Sequence, residues 1–244
     1  MYKLVWKDEF KVDGKPDENT WNLETGGWGF GNQESQYYTN DLKNAYIKDG
    51  VLHIVALRED YENKNYTSAK LTTYGKKSIQ YGKIVVKAKL PKGRGTWPAI
   101  WLLPDSIQKE KEPWPLCGEI DIMEHVGKDP FIIHYSLHSE KYNHKINTQK
   151  THFERIENIY DKFVNYEIRW DEQSIEYYVD GIKRVEFKKE TNDSNKEWPY
   201  NKPYYLILNL AIGGTWGGKI DDSIFPAILK ISSVEVYEKS WFNE

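Results

Sequence analysis

Cysteine is almost absent from this 244-residue chain. Cys117 is the only one, so no intramolecular disulfide framework exists and apolar burial must hold the fold. An excess of one charge is also lacking: 34 basic against 37 acidic residues give a formal net charge of -3. Such a balance builds no field for a polyanion, so nucleic acid is not an expected partner. Long apolar runs are missing as well. The longest, residues 204–212, is interrupted by Asn209 and falls short of the roughly 18 residues that a membrane-crossing helix needs. No basic segment followed by an apolar one comes after Met1. The expectation is a mature extracellular form, with a cytoplasmic protein as the alternative.

Aromatic residues, in contrast, are plentiful: 10 Trp, 18 Tyr and 8 Phe. They favour strands, and they also make flat apolar plates with polar edges. A sugar ring offers axial C–H bonds to such a plate and equatorial hydroxyls to polar neighbours. A β-rich core and a carbohydrate cleft are therefore both on the table before any motif is considered.

The patterning is that of strands. Ile84, Val86, Ala88 and Leu90 recur at every second position, with Lys83, Lys87 and Lys89 between them, over residues 82–90, the period of a half-buried strand. Asp49-Gly50 and Asp180-Gly181 sit between alternating runs and predict hairpins. Residues 204–211 read as a central strand covered on both faces, and residues 229–237 alternate again. Only residues 107–112 and 154–162 suggest short helices. Residues 105–115, 140–161 and 188–201 read as polar loops. No strand–helix–strand rhythm, internal repeat or interdomain linker is present. The expected architecture is all-β, a two-sheet antiparallel sandwich formed by residues 1–244 as one domain.

The most informative segment is Gly118-Glu119-Ile120-Asp121-Ile122-Met123-Glu124-His125. As a strand it puts Glu119 and Asp121 on one face and Ile120 and Ile122 on the other. Strict alternation would then bury Glu124 among apolar side chains, at a cost of several kcal/mol. A β-bulge at Ile122–Met123 returns Glu124 to the acid face. The Cα atoms of Glu119 and Glu124 then lie roughly 13 Å apart. Leaning side chains bring the carboxyls to about 5–6 Å, the spacing of a retaining glycosidase. Crowded acids push their pKa values apart, so one can keep its proton near neutrality while the other attacks. Asp121 between them can orient Glu119. The plain alternative is a solvated acidic edge, and a metal site is a further rival, although the loop grammar of a calcium hand is absent.

Two other constellations were weighed. His134, His138 and His144 have the spacing of an extended zinc-protease motif, but Tyr135 and Lys141 stand where that motif needs Glu and Gly. A strand would also separate His134 from His138 by about 13 Å, so surface or hydrogen-bonding roles are expected for His134 and His144. Cys117 reads as a buried, unreactive thiol. Of the tryptophans, Trp6, Trp21 and Trp170 fall in strand patterns and are core candidates. Trp28, Trp97, Trp101, Trp114 and Trp216 flank glycines, prolines or the acid strand and are cleft candidates.

The acid strand E-I-D-I-M-E resembles the signature of glycoside hydrolase family 16, in its bulged, laminarinase-like branch. Further segments resemble the family in order: Trp6-Lys7-Asp8-Glu9-Phe10; Gly31-Asn32-Gln33-Glu34-Ser35-Gln36-Tyr37-Tyr38-Thr39; Tyr66-Thr67-Ser68-Ala69; Tyr81-Gly82; Gly95-Thr96-Trp97-Pro98-Ala99-Ile100-Trp101; Tyr178-Val179-Asp180-Gly181; and Leu208-Asn209-Leu210-Ala211-Ile212-Gly213-Gly214. The resemblance implies a jelly-roll β-sandwich with a concave cleft, and endo-hydrolysis of a β-1,3-glucan with retained configuration. It implies Glu119 as nucleophile, Glu124 as general acid/base and Asp121 as supporting acid. Asn32, Trp97, Trp101, Trp114, His138 and Trp216 match substrate-cleft positions. Lys70 stands where relatives often carry Arg, which keeps the charge and loses the bidentate fork. Many relatives hold a structural calcium through an acid near the last strand. Ser232 occupies that place here, which leaves Glu9 and backbone carbonyls, so the metal assignment stays unknown. No cofactor is required by this chemistry. A β-glucan is the expected partner and a monomer the expected state. A mixed-linkage or other polysaccharide, and a binding module without activity, are the alternatives.

Overall fold

A computed structural model describes residues 1–239. Two sheets face each other across an apolar core. One sheet has ten strands in the path Ile182–Lys188, Ser174–Val179, Val164–Trp170, Gly82–Lys89, Ala227–Lys239, Val51–Tyr61, Lys64–Ser68 and Gln36–Tyr38. Tyr2–Asp8 pairs with Ala227–Lys239 off that path, and Ala45–Lys48 with Val51–Tyr61. The other sheet has eight strands: Lys150–Arg155, Ile132–His138, Glu119–Glu124, Thr96–Pro104, Tyr204–Ile212, Lys70–Thr72 and Asn22–Glu24, with Ser78–Ile79 beside Tyr204–Ile212. Pairing is antiparallel except between Gln36–Tyr38 and Lys64–Ser68. This is the two-sheet sandwich that the strand pattern predicts, in the jelly-roll form that the family resemblance implies.

Both predicted hairpins form. Asp49-Gly50 and Asp180-Gly181 each have positive φ at both turn residues, the type I′ geometry whose twist matches the flanking strands. Residues 204–212 are buried along their whole length, because this strand is central in its sheet. One face packs in the core, and on the other Tyr205 and Ile207 are covered by Tyr74, Trp101, Ile107 and Trp114 before the strand reaches the trench. Asn209 sits in the middle of that run and faces the cleft.

Four local expectations need correction. Residues 154–162 form no helix: they leave the strand Lys150–Arg155 and continue in turns. That strand also replaces part of the loop expected over residues 140–161. Its pattern of half-buried and exposed side chains reflects an edge position, where one face packs and the other meets water. The helix expected at 107–112 is a single turn, Ser106–Lys109. Trp21 and Trp170 are core residues. Trp6 is only half-buried against the core, since its strand lies at a sheet edge and meets Trp21 edge-on at 6.2 Å.

The place where relatives hold calcium is filled differently. Glu9 Oε2 lies 3.0 Å from Lys7 Nζ and 2.8 Å from Lys11 Nζ. Ser232 Oγ points to the Lys87 carbonyl at 3.5 Å. Calcium wants six to eight oxygens, several of them anionic. Glu9, the acid the resemblance offers for this place, is already matched by two ammonium groups, so Glu9 and Ser232 do not fit the ion.

Candidate active site

Strand register builds the site row by row across the eight-stranded sheet. One row of directly opposed residues reads Glu24, Lys70, Asn209, Ala99, Glu124, His134 and Phe153. The next reads Asn22, Thr72, Ile207, Trp101, Asp121, Ser136 and Thr151. Glu119 opposes His138 beyond it. Most of these residues line a trench of about 670 Å³ that crosses the sheet from the edge strand Lys150–Arg155 as far as Lys70, one strand short of the opposite edge. Ala99, a small residue between Trp97 and Trp101, leaves the floor low, and the two indoles rise on either side of it.

The predicted bulge is present. The pairing of Glu119–Glu124 slips by one residue against both neighbours. Asp121 opposes Trp101 while Met123 opposes Ile100, so Ile122 has no partner in that register. Ile120, Ile122 and Met123 are all buried in the core, and Glu119 and Glu124 both face the trench. One extra residue thus satisfies both the apolar core and three acids on one face.

The tryptophans do more than offer plates. Trp114 Nε1 donates to Glu119 Oε2 at 2.7 Å, and Trp97 Nε1 donates to Glu124 Oε1 at 3.2 Å. Trp101 Nε1 donates to Asn209 Oδ1 at 2.7 Å, and Asn209 Nδ2 donates to the Tyr38 hydroxyl at 3.0 Å. Trp216 stands edge-on to Trp97 at 5.4 Å and to His134 at 4.8 Å. Trp28, expected in the cleft, lies outside the lining and packs tilted against Phe30 at 4.1 Å. Asn32 Nδ2 donates to Glu34 Oε2 at 3.0 Å, and its carbonyl accepts from Thr215 N at 2.7 Å, which ties the 29–33 loop to the turn that carries Trp216. Lys70 is buried, paired with Glu24 at 3.1 Å, and lies over the rings of Phe30 and Trp101 at 4.9 and 5.5 Å.

Burial raises the pKa of all three acids on the strand, because removal from water disfavours the charged form. Glu124 is pushed up to about 8, by burial first and by the Glu119 charge second. It is therefore an acid that keeps its proton at neutral pH. Glu119 and Asp121 approach closely enough for one carboxyl to donate to the other, and we place the bridging proton on Asp121. His138 Nε2 stands 3.1 Å from Asp121 Oδ2, off the line that a hydrogen bond needs, so neither Asp121 oxygen has a donor. Glu119 accepts the Trp114 N–H, which favours its ionised form. His138 is buried and its pKa is lowered by desolvation, so it serves as a neutral neighbour.

Several residues escaped the sequence reading. Glu34 is buried, with Oε1 accepting from Gln36 Nε2 at 2.9 Å and Oε2 from Asn32, and its charge helps to raise Glu124. It was visible within the Gly31–Thr39 segment, but it lies far from the acid strand in sequence. His134 and His144, expected at the surface or in hydrogen bonds, line the trench instead. His144 packs on Trp114 at 4.9 Å and on His138 at 5.2 Å, and burial pushes both His134 and His144 down to about 4. No zinc site joins the three histidines, because His134 sits by Trp216 while His138 sits by Glu119. Glu119, Asp121 and His138 do present ligand atoms within 4.8 Å of one another. The same atoms hold the shared proton and the indole bond just described. Cys117 is fully buried, and desolvation pushes its thiol up to about 12, far from a usable thiolate.

A protonated carboxyl and an ionised one, set along a bulged strand in an aromatic trench, can protonate a leaving oxygen and attack the carbon it leaves. Fold and site together define a β-sandwich glycoside hydrolase. The profile of glycosyl hydrolases family 16 matches residues 30–224, and the chain belongs to that family. A β-glucanase of Rhodothermus marinus is 44% identical over 243 residues, which are 97% of this chain and 85% of that protein. The solved laminarinase of Rhodothermus marinus superposes with a TM-score of 0.94 at 44% identity and 98% coverage of both chains. The laminarinase of Flavobacterium sp. UMI-01 has a TM-score of 0.89 at 41% identity, covering 97% of this chain and 100% of the other.

Proposed function

We propose that the protein is an endo-acting, retaining β-1,3-glucanase. The observation that carries this reading is the bulged strand, which sets Glu119 and Glu124 on one wall of a trench with an indole N–H on each. Glu124 protonates the glycosidic oxygen while Glu119 attacks the anomeric carbon and forms a glycosyl ester. Glu124, now ionised, takes a proton from water, and the water oxygen displaces Glu119 from the opposite face, the one the leaving group vacated, so two inversions retain the configuration. Asp121 holds the Glu119 carboxyl in line through the shared proton. A trench lined by six adjacent strands, from Phe153 to Lys70, suits attack within a chain rather than at its end. No cofactor enters either step. A polysaccharide substrate fits an extracellular site of action, and a monomer suffices because every group in the scheme comes from one chain.

The test is a hydrolysis panel of laminarin, lichenan, agarose and carboxymethylcellulose with product analysis. Reducing ends from laminarin, released as a mixture of oligosaccharides, support the reading. Binding of laminarin without product release would remove the enzymatic claim.

A further inference from the structure

Trp28 is 65% exposed, although it is the largest side chain type and lies beside the trench. Its ring is not loose. A Cβ built on Gly26 would meet Trp28 Cζ3 at 1.9 Å, so the indole rests on bare backbone that only glycine can offer. Its other neighbour is Phe30 at 4.1 Å, and Phe30 lines the trench. Phe30 is held with φ of 50°, in the left-handed region that a bulky residue occupies only where its surroundings dictate it. Lys70 links Phe30 to Trp101 by lying over both rings. An unbroken series, Trp101, Lys70, Phe30 and Trp28, therefore leads from beside Asp121 to the open surface at one end of the trench.

We propose that Trp28 is a distal binding platform for the same β-glucan chain that lies in the trench. This rests on the glucanase reading above. The platform is flat, apolar and held against Gly26, and the ring it packs on, Phe30, lines the trench. Those features suit the C–H face of a sugar. The occupant is the chain already engaged at Trp101, because Phe30 and Lys70 leave no break between the two surfaces. Lys70 lies three strands from the acids and Glu24 four, so the platform stands on the order of 14–19 Å away at about 4.8 Å per strand. A tetrasaccharide with two sugars on each side of the acids does not reach it, whereas a polysaccharide does.

The experiment compares KM for laminarin with KM for laminaritetraose in the wild type, Trp28→Ala, Trp28→Leu and Trp28→Phe. Loss of one stacked ring predicts a rise of about fivefold in the laminarin-to-tetraose KM ratio for Trp28→Ala, with kcat little changed. Trp28→Leu keeps an apolar side chain over Gly26 but no flat ring, so it is to show the same rise even if the alanine variant folds poorly. Trp28→Phe is to restore most of the ratio. A ratio unchanged in both Trp28→Ala and Trp28→Leu overturns the platform and leaves the glucanase reading intact. A wild type that hydrolyses neither substrate overturns both.

Discussion

Trp114 and Glu119 are joined by an indole N–H to carboxylate bond of 2.7 Å, five positions apart in sequence. The bond gives the nucleophile the donor that its ionised form needs in a buried setting, and it ties an aromatic wall to the reacting group. The Trp97 bond to Glu124 is longer, at 3.2 Å. The tighter donor therefore sits on the acid that must be charged, and the looser one on the acid that must keep its proton.

Trp114→Phe keeps the ring and removes the donor. The Glu119 pKa then rises, so the nucleophile protonates at a higher pH. The acidic limb of kcat/KM is expected to move upward by about one pH unit, the equivalent of about 1.4 kcal/mol. An acidic limb that stays in place would separate Trp114 from the charge state of Glu119.

The alkaline limb belongs to Glu124. Its pKa is raised to about 8, so kcat/KM of the wild type is expected to fall as pH rises through about 8, where the acid loses its proton. Glu34→Gln removes a negative charge that contributes to this shift and keeps the shape of the side chain. The Glu124 pKa drops, and the limb is expected to move to lower pH. A limb that moves upward contradicts the assignment.

The same group links to stability. Its folded pKa lies above the ordinary carboxyl value of 4.5, so its contribution is complete below about pH 4.5 and is lost as pH rises through about 8. Glu124→Gln cannot ionise. Its melting temperature is therefore expected to fall less than that of the wild type between pH 5 and pH 8, as followed by calorimetry at matched ionic strength. Parallel curves would place the proton elsewhere.

Glu9, paired with Lys7 and Lys11, is expected to hold no divalent cation. Addition of millimolar calcium, or of a chelator, is expected to shift the melting temperature by less than about 1 °C. A ligand that binds the folded state at a hundredfold its Kd would add about 2.7 kcal/mol, which corresponds to several degrees. A rise of that size on adding calcium would restore the ion.

Much of this was legible in the residues. Asp-Gly pairs between alternating runs give the hairpins, because few residues other than glycine take positive φ cheaply. The buried-charge cost of Glu124 exposes the bulge before any coordinates do. The six-residue acid strand is local, and its logic is local too. What stayed hidden depends on strands far apart in sequence. Glu34 reaches Glu124 only across the sheet, and His134 and His144 meet Trp216 and Trp114 only once the trench exists. Asn209 carried a signal, a polar side chain inside a buried run, but its partners Trp101 and Tyr38 come from two other strands. The strand Lys150–Arg155 was missed because an edge position imposes little apolar pattern on a polar segment.

The central claim is that Glu119 attacks and Glu124 protonates, with the configuration retained. Proton NMR of the hydrolysis of a β-1,3-linked oligosaccharide reads this directly from the anomeric signal of the first product. The β-anomer is expected to appear first, with the α-anomer growing only by mutarotation. Initial appearance of the α-anomer would contradict the account.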